Sequence, residues 1–261
     1  MKMRTFILLL ALLATTASSQ ETREVKKTFD MNKDGEVSVD TYKGTITVTT
    51  WEKAQVSVEA RIEPDGWSRH NERKVRDTEI RFSDSPDGVR IVTDYDRLKS
   101  RSWDFLGLFG GSADNLPFVH YTITMPAGAR LRIKDYKSDS RIDGLRSAIR
   151  LETYKGKVEI ANADGPLDLE TYKGDVRIDF RDFSADTRME TYKGKIDLTL
   201  PRDSHFKLDA DIGRRGDLNS DFDLSVRRKH RGDETYQSAV NGGGPLLSIS
   251  TEKGDVRLRQ K

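Results

Sequence analysis

The feature that most constrains this chain is a six-residue phrase that recurs at a nearly fixed interval. Residues 151–156 and 169–174 both read LETYKG, and residues 189–194 read METYKG. A degenerate copy, IKDYKS, occupies 133–138. The tyrosines of these four copies follow one another after 18, 18 and 20 residues. A repeat of this length is typical of proteins that stack one structural unit on the next.

Each copy of the repeat joins two short runs of alternating apolar residues. Ile149, Leu151 and Thr153 share one face before the turn, and Val158 and Ile160 share one face after it. Such alternation with a period of two predicts half-buried β-strands. The intervening Tyr-Lys-Gly predicts a turn, because glycine adopts a positive φ at little cost. A period of 18 residues leaves no room for a crossover helix, so the chain is predicted to be all-β.

Charges on the outward positions distinguish the two folds that fit this pattern, an antiparallel meander and a solenoid of stacked coils. Two series after the turn reverse sign from copy to copy: Asp139, Lys157, Asp175, Lys195, Asp217 and Arg141, Glu159, Arg177, Asp197, Asn219. In a solenoid these residues would lie about 4.8 Å apart, where opposite charges attract. The alternation therefore favours a parallel β-solenoid with about 18–20 residues per coil. One further row does not alternate: Lys134, Glu152, Glu170, Glu190.

Strands are also expected outside the repeats. Alternating apolar residues predict them over these segments: 24–29, 36–40, 45–48, 55–62, 78–82, 89–93 and 118–124. Segments 78–82 and 89–93 are expected to pair as a hairpin, and the polar segment 64–74 is predicted to be a loop. The final segment 246–258 repeats the pattern and predicts a regular last coil that closes the stack.

Residues 1–19 have the pattern of a secretory signal peptide. Lys2 and Arg4 precede nine unbroken apolar residues, which are too few to span a bilayer, and small residues precede Gln20. Removing the signal would leave 43 basic residues against 43 acidic ones, which argues against a general affinity for nucleic acid. The chain has no cysteine, which excludes disulfides and thiol catalysis. We expect an exported bacterial protein of the periplasm, cell surface or medium, without a transmembrane segment.

Three regions are predicted: the signal peptide at 1–19, an N-terminal β region at 20–117, and the solenoid at 118–261. The N-terminal region contains a long loop at 94–116 with an apolar cluster: Trp103, Phe105, Leu106, Leu108, Phe109. A loop this long is typical of a functional segment, and an exposed apolar cluster is typical of a partner or membrane-surface contact. The alternative is that the loop covers an open end of the solenoid, because terminal coils need a cap.

No catalytic or metal-binding motif is present in the sequence. Its four histidines lack metal-ligand spacing, and neither a nucleophile elbow nor a P-loop occurs. Asp30–Gly35 imitates the start of a calcium loop, yet Thr41 stands where that loop requires a bidentate glutamate, so a polar turn is favoured. We expect no metal and no cofactor. Carboxylates are plentiful, which leaves a glycan-active enzyme as a distant alternative.

Stacking of the repeats would bring turn residues into two neighbouring columns. The candidate ligand-binding residues are Tyr136, Tyr154, Tyr172, Tyr192, Lys137, Lys155, Lys173 and Lys193. Such a strip could stack its rings on sugars or bases while its ammonium groups meet anionic groups. The alternative interpretation is structural, with the rings stacked on one another and the lysines solvated, where they oppose aggregation.

Several segments in a fixed order resemble the bacterial putative-adhesin family. They are residues 36–48, the sequence VHYTITMP at 119–126, and the repeated strand–turn–glycine–strand units that follow. The resemblance covers about residues 25–258 and implies an extracytoplasmic, non-catalytic protein with a β-solenoid-like body. Segments 94–116 and 227–231 depart from the simplest pattern of that family. We therefore expect an exported surface or envelope binding module.

Two binding roles fit this expectation. The first is an adhesin or scaffold that contacts a cell-surface glycan or an envelope protein through the Tyr-Lys strip and the apolar loop. The alternative is binding of an anionic polysaccharide by the Tyr-Lys strip.

Overall fold

The computed structural model describes residues 21–66, 68–98, 115–224, 227–230 and 233–261, so the predicted signal peptide lies outside the described residues. The described residues are nearly all-β, with two short helices, α1 (Arg69–Asp77) and a 3-10 helix (Asp96–Leu98). The first ten strands are β1 Arg23–Asp30, β2 Glu36–Asp40, β3 Lys43–Trp51, β4 Gln55–Glu63, β5 Glu79–Ser85, β6 Gly88–Asp94, β7 Phe118–Pro126, β8 Arg130–Asp143, β9 Ile149–Lys155 and β10 Val158–Ala163. The second ten are β11 Leu167–Lys173, β12 Val176–Phe180, β13 Thr187–Lys193, β14 Ile196–Leu200, β15 Phe206–Ile212, β16 Leu218–Ser220, β17 Arg227–His230, β18 Asp233–Val240, β19 Leu246–Lys253 and β20 Val256–Gln260.

Successive repeats form rungs, and each rung contributes one strand on either side of a corner glycine. Strands β9, β11 and β13 pair in parallel with equivalent residues in register. Beyond the corner, β10, β12 and β14 pair in the same way. We call the first set, with β2, the start of β8, β15 and β19, the tyrosine-side stack. The second set, with β3, the end of β8, β16 and β20, is the opposite stack. The predicted parallel β-solenoid is confirmed.

The core lies between the two stacks. Leu151 and Leu169 from the tyrosine side and Val158 and Val176 from the opposite side are all buried in one apolar cluster. Their neighbours in sequence point to solvent, as the period of two requires. The alternating pattern of the repeat therefore builds a continuous core that grows with every rung.

The alternating charges predicted from the sequence face one another across adjacent rungs. Arg141 lies with its Nε and Nη2 atoms 3.1 and 2.8 Å from Glu159 Oε2. In the other series, the carboxylate of Asp139 accepts a hydrogen bond from the backbone N–H of Lys157 at 2.8 Å, and the same contact recurs two rungs further on. Asp139 and Asp175 therefore satisfy backbone donors as well as facing charges of opposite sign.

The strands expected before the repeats are confirmed, and several of them extend the two stacks. Strands β2 and β3 pair in parallel with β8, which continues the two stacks beyond the repeats. On their other side lie β6 and β7. Strands β4 and β1 continue beyond β7 in antiparallel order, and β5 forms the expected hairpin with β6. The division into regions 20–117 and 118–261 stays a prediction.

Segment 64–74 was predicted to be a loop, but it contains the start of helix α1. The helix begins after Ser68, whose side chain accepts a hydrogen bond from the backbone N–H of Asn71 at 3.1 Å. Val75 is the one buried residue of this helix. The prediction was wrong because a helix that buries a single valine has no apolar stripe from which its period could be recognised.

The last coil does not close the stack, contrary to the order expected from the sequence. Strand β19 pairs in parallel with β13 on one side and with β15 on the other. Strand β20 likewise lies between β14 and β16. The chain therefore skips one rung after β14, and its final segment fills the gap. This insertion places Arg257 between Asp197 and Asn219, which continues the alternation of charge in that series. In the other series it places Asp255 between Lys195 and Asp217, so two aspartates become neighbours.

The corners of successive rungs approach one another so closely that only glycine fits. Gly174 has a φ of +157°, and a Cβ atom built on it would lie 1.7 Å from the carbonyl oxygen of Gly156. The same contact recurs at 1.9 Å for Gly194 and at 1.8 Å for Gly254. These glycines therefore allow neighbouring corners to lie at the spacing of a β-sheet.

The inserted rung can be tested by cross-linking, because the chain has no cysteine of its own. Asp197→Cys combined with Arg257→Cys should form a disulfide, since neighbouring strands lie about 4.8 Å apart, within the range of this bond. Asp197→Cys combined with Asn219→Cys is the control, and it should remain reduced because β20 lies between the two positions. Mass spectrometry after non-reducing digestion measures both. Cross-linking of the control pair alone would show that the rungs follow chain order.

Gly174→Ala should lower the free energy of unfolding by at least about 2–3 kcal/mol, because its methyl group would overlap a backbone oxygen of the neighbouring rung. Gly242→Ala is a matched control, since Gly242 also has a positive φ, +89°, but nothing lies within 4 Å of its added Cβ. The control should cost only about 1 kcal/mol, the price of the left-handed backbone. Urea unfolding measures both variants. Equal losses would contradict the close packing of the corners.

Candidate functional site

The tyrosines of the turns form a continuous stack on one face of the solenoid. Neighbouring rings from Tyr136 to Tyr192 lie 4.7–4.8 Å apart between centroids, with interplanar angles of 4–9°. Tyr42 adds a fifth ring, 4.8 Å from Tyr136. It was not among the predicted ligand-binding residues, although residues 41–44 also read TYKG. Parallel strands in register impose this spacing, and aromatic rings attract at this distance. We call the five rings the tyrosine ladder: Tyr42, Tyr136, Tyr154, Tyr172, Tyr192.

Different contacts close the two ends of the ladder. Tyr42 meets the ring of Tyr95 edge-on, with the centroids 6.4 Å apart. At the other end the inserted rung carries Glu252 in place of a tyrosine, and Lys253 Nζ lies 4.5 Å from the centroid of the Tyr192 ring. Lys253 also donates a hydrogen bond to the Tyr192 hydroxyl. The inner rings have both faces covered by other rings, so the ladder presents ring edges and hydroxyl groups to solvent.

The lysines that follow the tyrosines form a second column beside the ladder. We call it the lysine row: Lys137, Lys155, Lys173, Lys193. Nζ of Lys155 and of Lys173 lies 5.3 Å from the centroid of the preceding tyrosine. Three of the four are exposed, and within the described residues none of the four is in an ion pair. Lys43 differs, because it is buried with its Nζ 2.7 Å from Asp65 and 4.3 Å from the Phe118 ring centroid.

On the other side of the ladder, acidic side chains line a groove of about 670 Å³. The groove is bounded by Tyr154, Tyr172 and Tyr192 and by the carboxylates of Glu152, Glu170, Glu190, Asp211 and Glu252. Three of these glutamates form one row in the repeat pattern, but no site was predicted there. We call Glu152, Glu170 and Glu190 the glutamate row. Because its members stack in register, like charges lie one rung apart, which is unfavourable without compensation.

Arginines on the same strands compensate two members of the glutamate row. Glu152 Oε1 lies 3.1 Å from Arg150 Nε, and Glu190 is paired with Arg188. Glu170 is exposed and has no ion pair within the described part of the chain. Its strand carries Asp168 where the neighbouring strands carry arginine, which explains the missing partner. The middle of the groove therefore presents a carboxylate that lacks a cationic partner among the described residues.

Beneath the ladder, buried threonines form an inner column in which Asp135 replaces one member. Asp135 Oδ1 accepts hydrogen bonds from the backbone N–H of Ser138 at 2.8 Å and from Thr153 Oγ1 at 3.0 Å. Its Oδ2 is buried without a hydrogen-bond partner among the described residues. Burial raises the pKa of Asp135 from 3.8 to about 7, and the two hydrogen bonds oppose this rise.

The other features considered from the sequence add no residue to the tyrosine ladder and the rows beside it. The apolar cluster lies outside the described residues, and its contact role stays a prediction: Trp103, Phe105, Leu106, Leu108, Phe109. Within the described ranges, no group of three histidine, aspartate or glutamate side chains could hold a metal ion. Among those same residues, no helix has both the length and the apolar character needed to cross a bilayer.

Stacked rungs with one aromatic strip on the surface define a repetitive β-solenoid protein. The family model described as Toastrack DUF4097 matches residues 119–259, which is more than half of the chain. The chain belongs to this family. The resemblance to adhesins predicted from the sequence is thereby confirmed at the level of the family and its structural neighbours.

Two solved structures illustrate the likeness. The first is described as a putative cell adhesion protein from Clostridium sporogenes, with 14% identity and a TM-score of 0.54, and the match covers 92% of this chain and 100% of that one. The second is described as a putative adhesin from Bacteroides fragilis, with 13% identity, a TM-score of 0.44 and coverage of 90% and 97%. At 14% identity, the likeness to the Clostridium structure shows a shared fold. No curated protein matches the chain.

Asp135→Thr, which restores the residue of the other repeats, should raise the free energy of unfolding at pH 8 by about 2–4 kcal/mol. A carboxyl group with a raised folded pKa binds its proton more tightly in the folded state, so wild-type stability falls as the pH rises from about 4 to 7. The advantage of the variant should therefore be small at pH 4 and grow across this range. Urea unfolding at several pH values measures it. Asp182→Asn, at an exposed carboxyl group, is the control. A pH-independent gain for Asp135→Thr would contradict the prediction.

Proposed function

We propose that this protein is a non-enzymatic binding module of the bacterial envelope or cell surface, which acts as an adhesin or scaffold through its tyrosine ladder. The observation that carries the proposal is the order of the ladder, whose rings the backbone holds 4.7–4.8 Å apart. Tyr136 and Tyr172 are 38% exposed. Tyrosines are enriched in protein interfaces, and side chains ordered before binding lose less entropy when a partner arrives.

The family of the chain and its structural likeness to a solved adhesion protein agree with such a role. Membership of the Toastrack DUF4097 family and the adhesion description of the Clostridium structure both support a surface function. Export to the periplasm, cell surface or medium rests on the signal-like residues 1–19. A cell-surface glycan or an envelope protein is the partner class that this location supplies.

Catalysis has weaker support than binding. Glycoside hydrolysis requires a protonated acid and a second carboxylate placed on either side of one bond. In the glutamate row, Glu152 and Glu190 are occupied by arginines, and Glu170 is exposed at the surface. This row therefore favours electrostatic binding over acid–base chemistry.

Binding of an anionic polysaccharide is a second candidate, and the exposed lysine row favours it. Two features of the same face weigh against it. The inner rings cover one another, so a sugar cannot stack on their faces. The glutamate row on the other side of the ladder would repel an anionic chain that spread across the rings.

The combined substitution of Tyr154→Ala and Tyr172→Ala should weaken binding at least tenfold, because it removes two adjacent rings from the ladder. Binding of the fluorescently labelled protein is measured on a glycan array and on isolated bacterial envelopes. The matched control is Tyr154→Phe with Tyr172→Phe, which keeps the stacked rings and should retain most of the binding.

Each other outcome of this experiment identifies a different function. If the alanine variant binds normally while deletion of residues 94–116 abolishes binding, the partner contacts the apolar loop, and the ladder is not the site. If only anionic glycans bind, and they bind through the lysines, the polysaccharide alternative is correct. If a glycan is hydrolysed and this turnover is lost on changing one carboxylate, the protein is an enzyme and the proposal is wrong.

A further inference from the structure

The surface of the tyrosine side carries three parallel columns that repeat once per rung. The tyrosine ladder lies in the middle, the glutamate row follows it on one side and the lysine row on the other. Over three consecutive rungs each column is uniform: Glu152, Tyr154, Lys155; Glu170, Tyr172, Lys173; Glu190, Tyr192, Lys193. An anionic and a cationic row thus flank one aromatic row with the same spacing along the solenoid.

No uniformly charged partner satisfies this face. A polyanion that reaches the lysine row meets the glutamate row across the ladder, and a polycation meets the opposite conflict. Each row also stacks like charges one rung apart, which is unfavourable without compensation. Arg150 and Arg188 offset part of this cost in the glutamate row, whereas Glu170 and the lysine row have no ion pair within the described residues. The partner that fits must present a cationic row and an anionic row in reversed order on either side of an apolar strip.

We propose that this partner is a second copy of the same chain, which pairs ladder against ladder in a parallel two-fold dimer. A two-fold axis that lies in the interface and runs along the ladder places rings opposite rings and exchanges the two flanking columns. The lysine row of each copy then faces the glutamate row of the other. This self-complementarity is what an isologous interface requires. The inference rests on the proposed function, because it names the partner of the same face.

The alternative two-fold arrangement is disfavoured by charge. An axis across the ladder would make the solenoids antiparallel and would place lysine row against lysine row. In the parallel arrangement each rung of one copy faces the same rung of the other copy. Glu152, Glu170 and Glu190 therefore each meet a lysine of the partner copy. At the rung below Glu152, Lys134 stands in the glutamate position, so no favourable pair forms there. Three rungs therefore define the interface.

The groove beside the ladder offers space for the lysines of the partner copy. Its volume is about 670 Å³, and Glu170 at its centre has no ion pair within the described residues. The lysine row is likewise without ion pairs in the described part of the chain. Pairs at an exposed interface are individually weak and are screened by salt. We therefore expect a dimer with a dissociation constant in the micromolar range that weakens at least tenfold between about 50 mM and 500 mM salt.

Two charge-reversal variants test the proposal when they are used together. The acidic variant combines Lys155→Glu, Lys173→Glu and Lys193→Glu, and the basic variant combines Glu152→Lys, Glu170→Lys and Glu190→Lys. Each variant alone should sediment as a monomer, because like rows would face each other. An equimolar mixture should form a heterodimer, because every acidic row then meets a basic one. Sedimentation velocity at about 50 mM salt measures all three samples.

A matched control reverses the same number of lysines away from the ladder: Lys33→Glu, Lys53→Glu and Lys207→Glu. All three are exposed, and this variant should dimerise like the wild type. Circular dichroism and thermal melting of every variant show whether it is folded, and the mixing experiment is interpreted with folded samples only. Formation of the heterodimer from two folded monomers, together with a wild type that dimerises, supports the proposal.

Several outcomes would overturn the proposal. They are a wild type that remains monomeric at about 100 µM in low salt, an acidic variant that still dimerises, or folded variants that fail to associate on mixing. Binding of an oligolysine peptide or of polygalacturonate to a monomeric wild type would identify a different occupant and would also overturn it. If the wild type is monomeric but the paired tyrosine-to-alanine change still abolishes envelope binding, the proposed function stands with another partner, and only the dimer is wrong.

Discussion

Equivalent residues of successive rungs lie one backbone hydrogen-bond spacing apart, because β9, β11 and β13 pair in parallel without any offset. This register depends on the corner glycines, where an added Cβ on Gly174 would lie 1.7 Å from the oxygen of the rung below. Once the corners stack, every side chain of the repeat is forced into a column. The aromatic ladder, the charged rows and the inner threonines all follow from that single constraint.

Columns of identical residues have opposite consequences for different side chains. Stacked tyrosines attract at 4.7–4.8 Å, whereas stacked glutamates or lysines repel. On the opposite stack the chain avoids repulsion by alternating charge, as in the contact of Arg141 with Glu159. On the tyrosine side it keeps uniform rows and offsets part of the cost with Arg150 and Arg188. This difference between the two faces is the physical reason for proposing the tyrosine side as an interaction surface.

Much of the site could be predicted from sequence because the repeat itself encodes the spacing of Tyr154, Tyr172 and Tyr192. Tyr42 was missed because it lies more than 90 residues before the next ring in the chain, although the two rings are stacked. The role of Asp135 was also missed, since only its burial shows that the replacement of a threonine raises a carboxyl pKa. Helix α1 escaped prediction because it packs through Val75 alone. These failures share one cause: a local sequence pattern does not show which distant residues become neighbours in the fold.

The sequence by itself determined the strands, the turns, the solenoid and the columns, because periods of two and of 18–20 residues leave few other ways to bury the apolar face. Only the tertiary structure decided the order of the rungs. The segment 246–258 has the strand–turn–strand pattern of the other coils, and Glu252 in place of a tyrosine does not by itself specify an inner or an outer position. Its place between β13–β14 and β15–β16 is a property of the whole stack, where filling a gap satisfies the backbone groups of two neighbours at once.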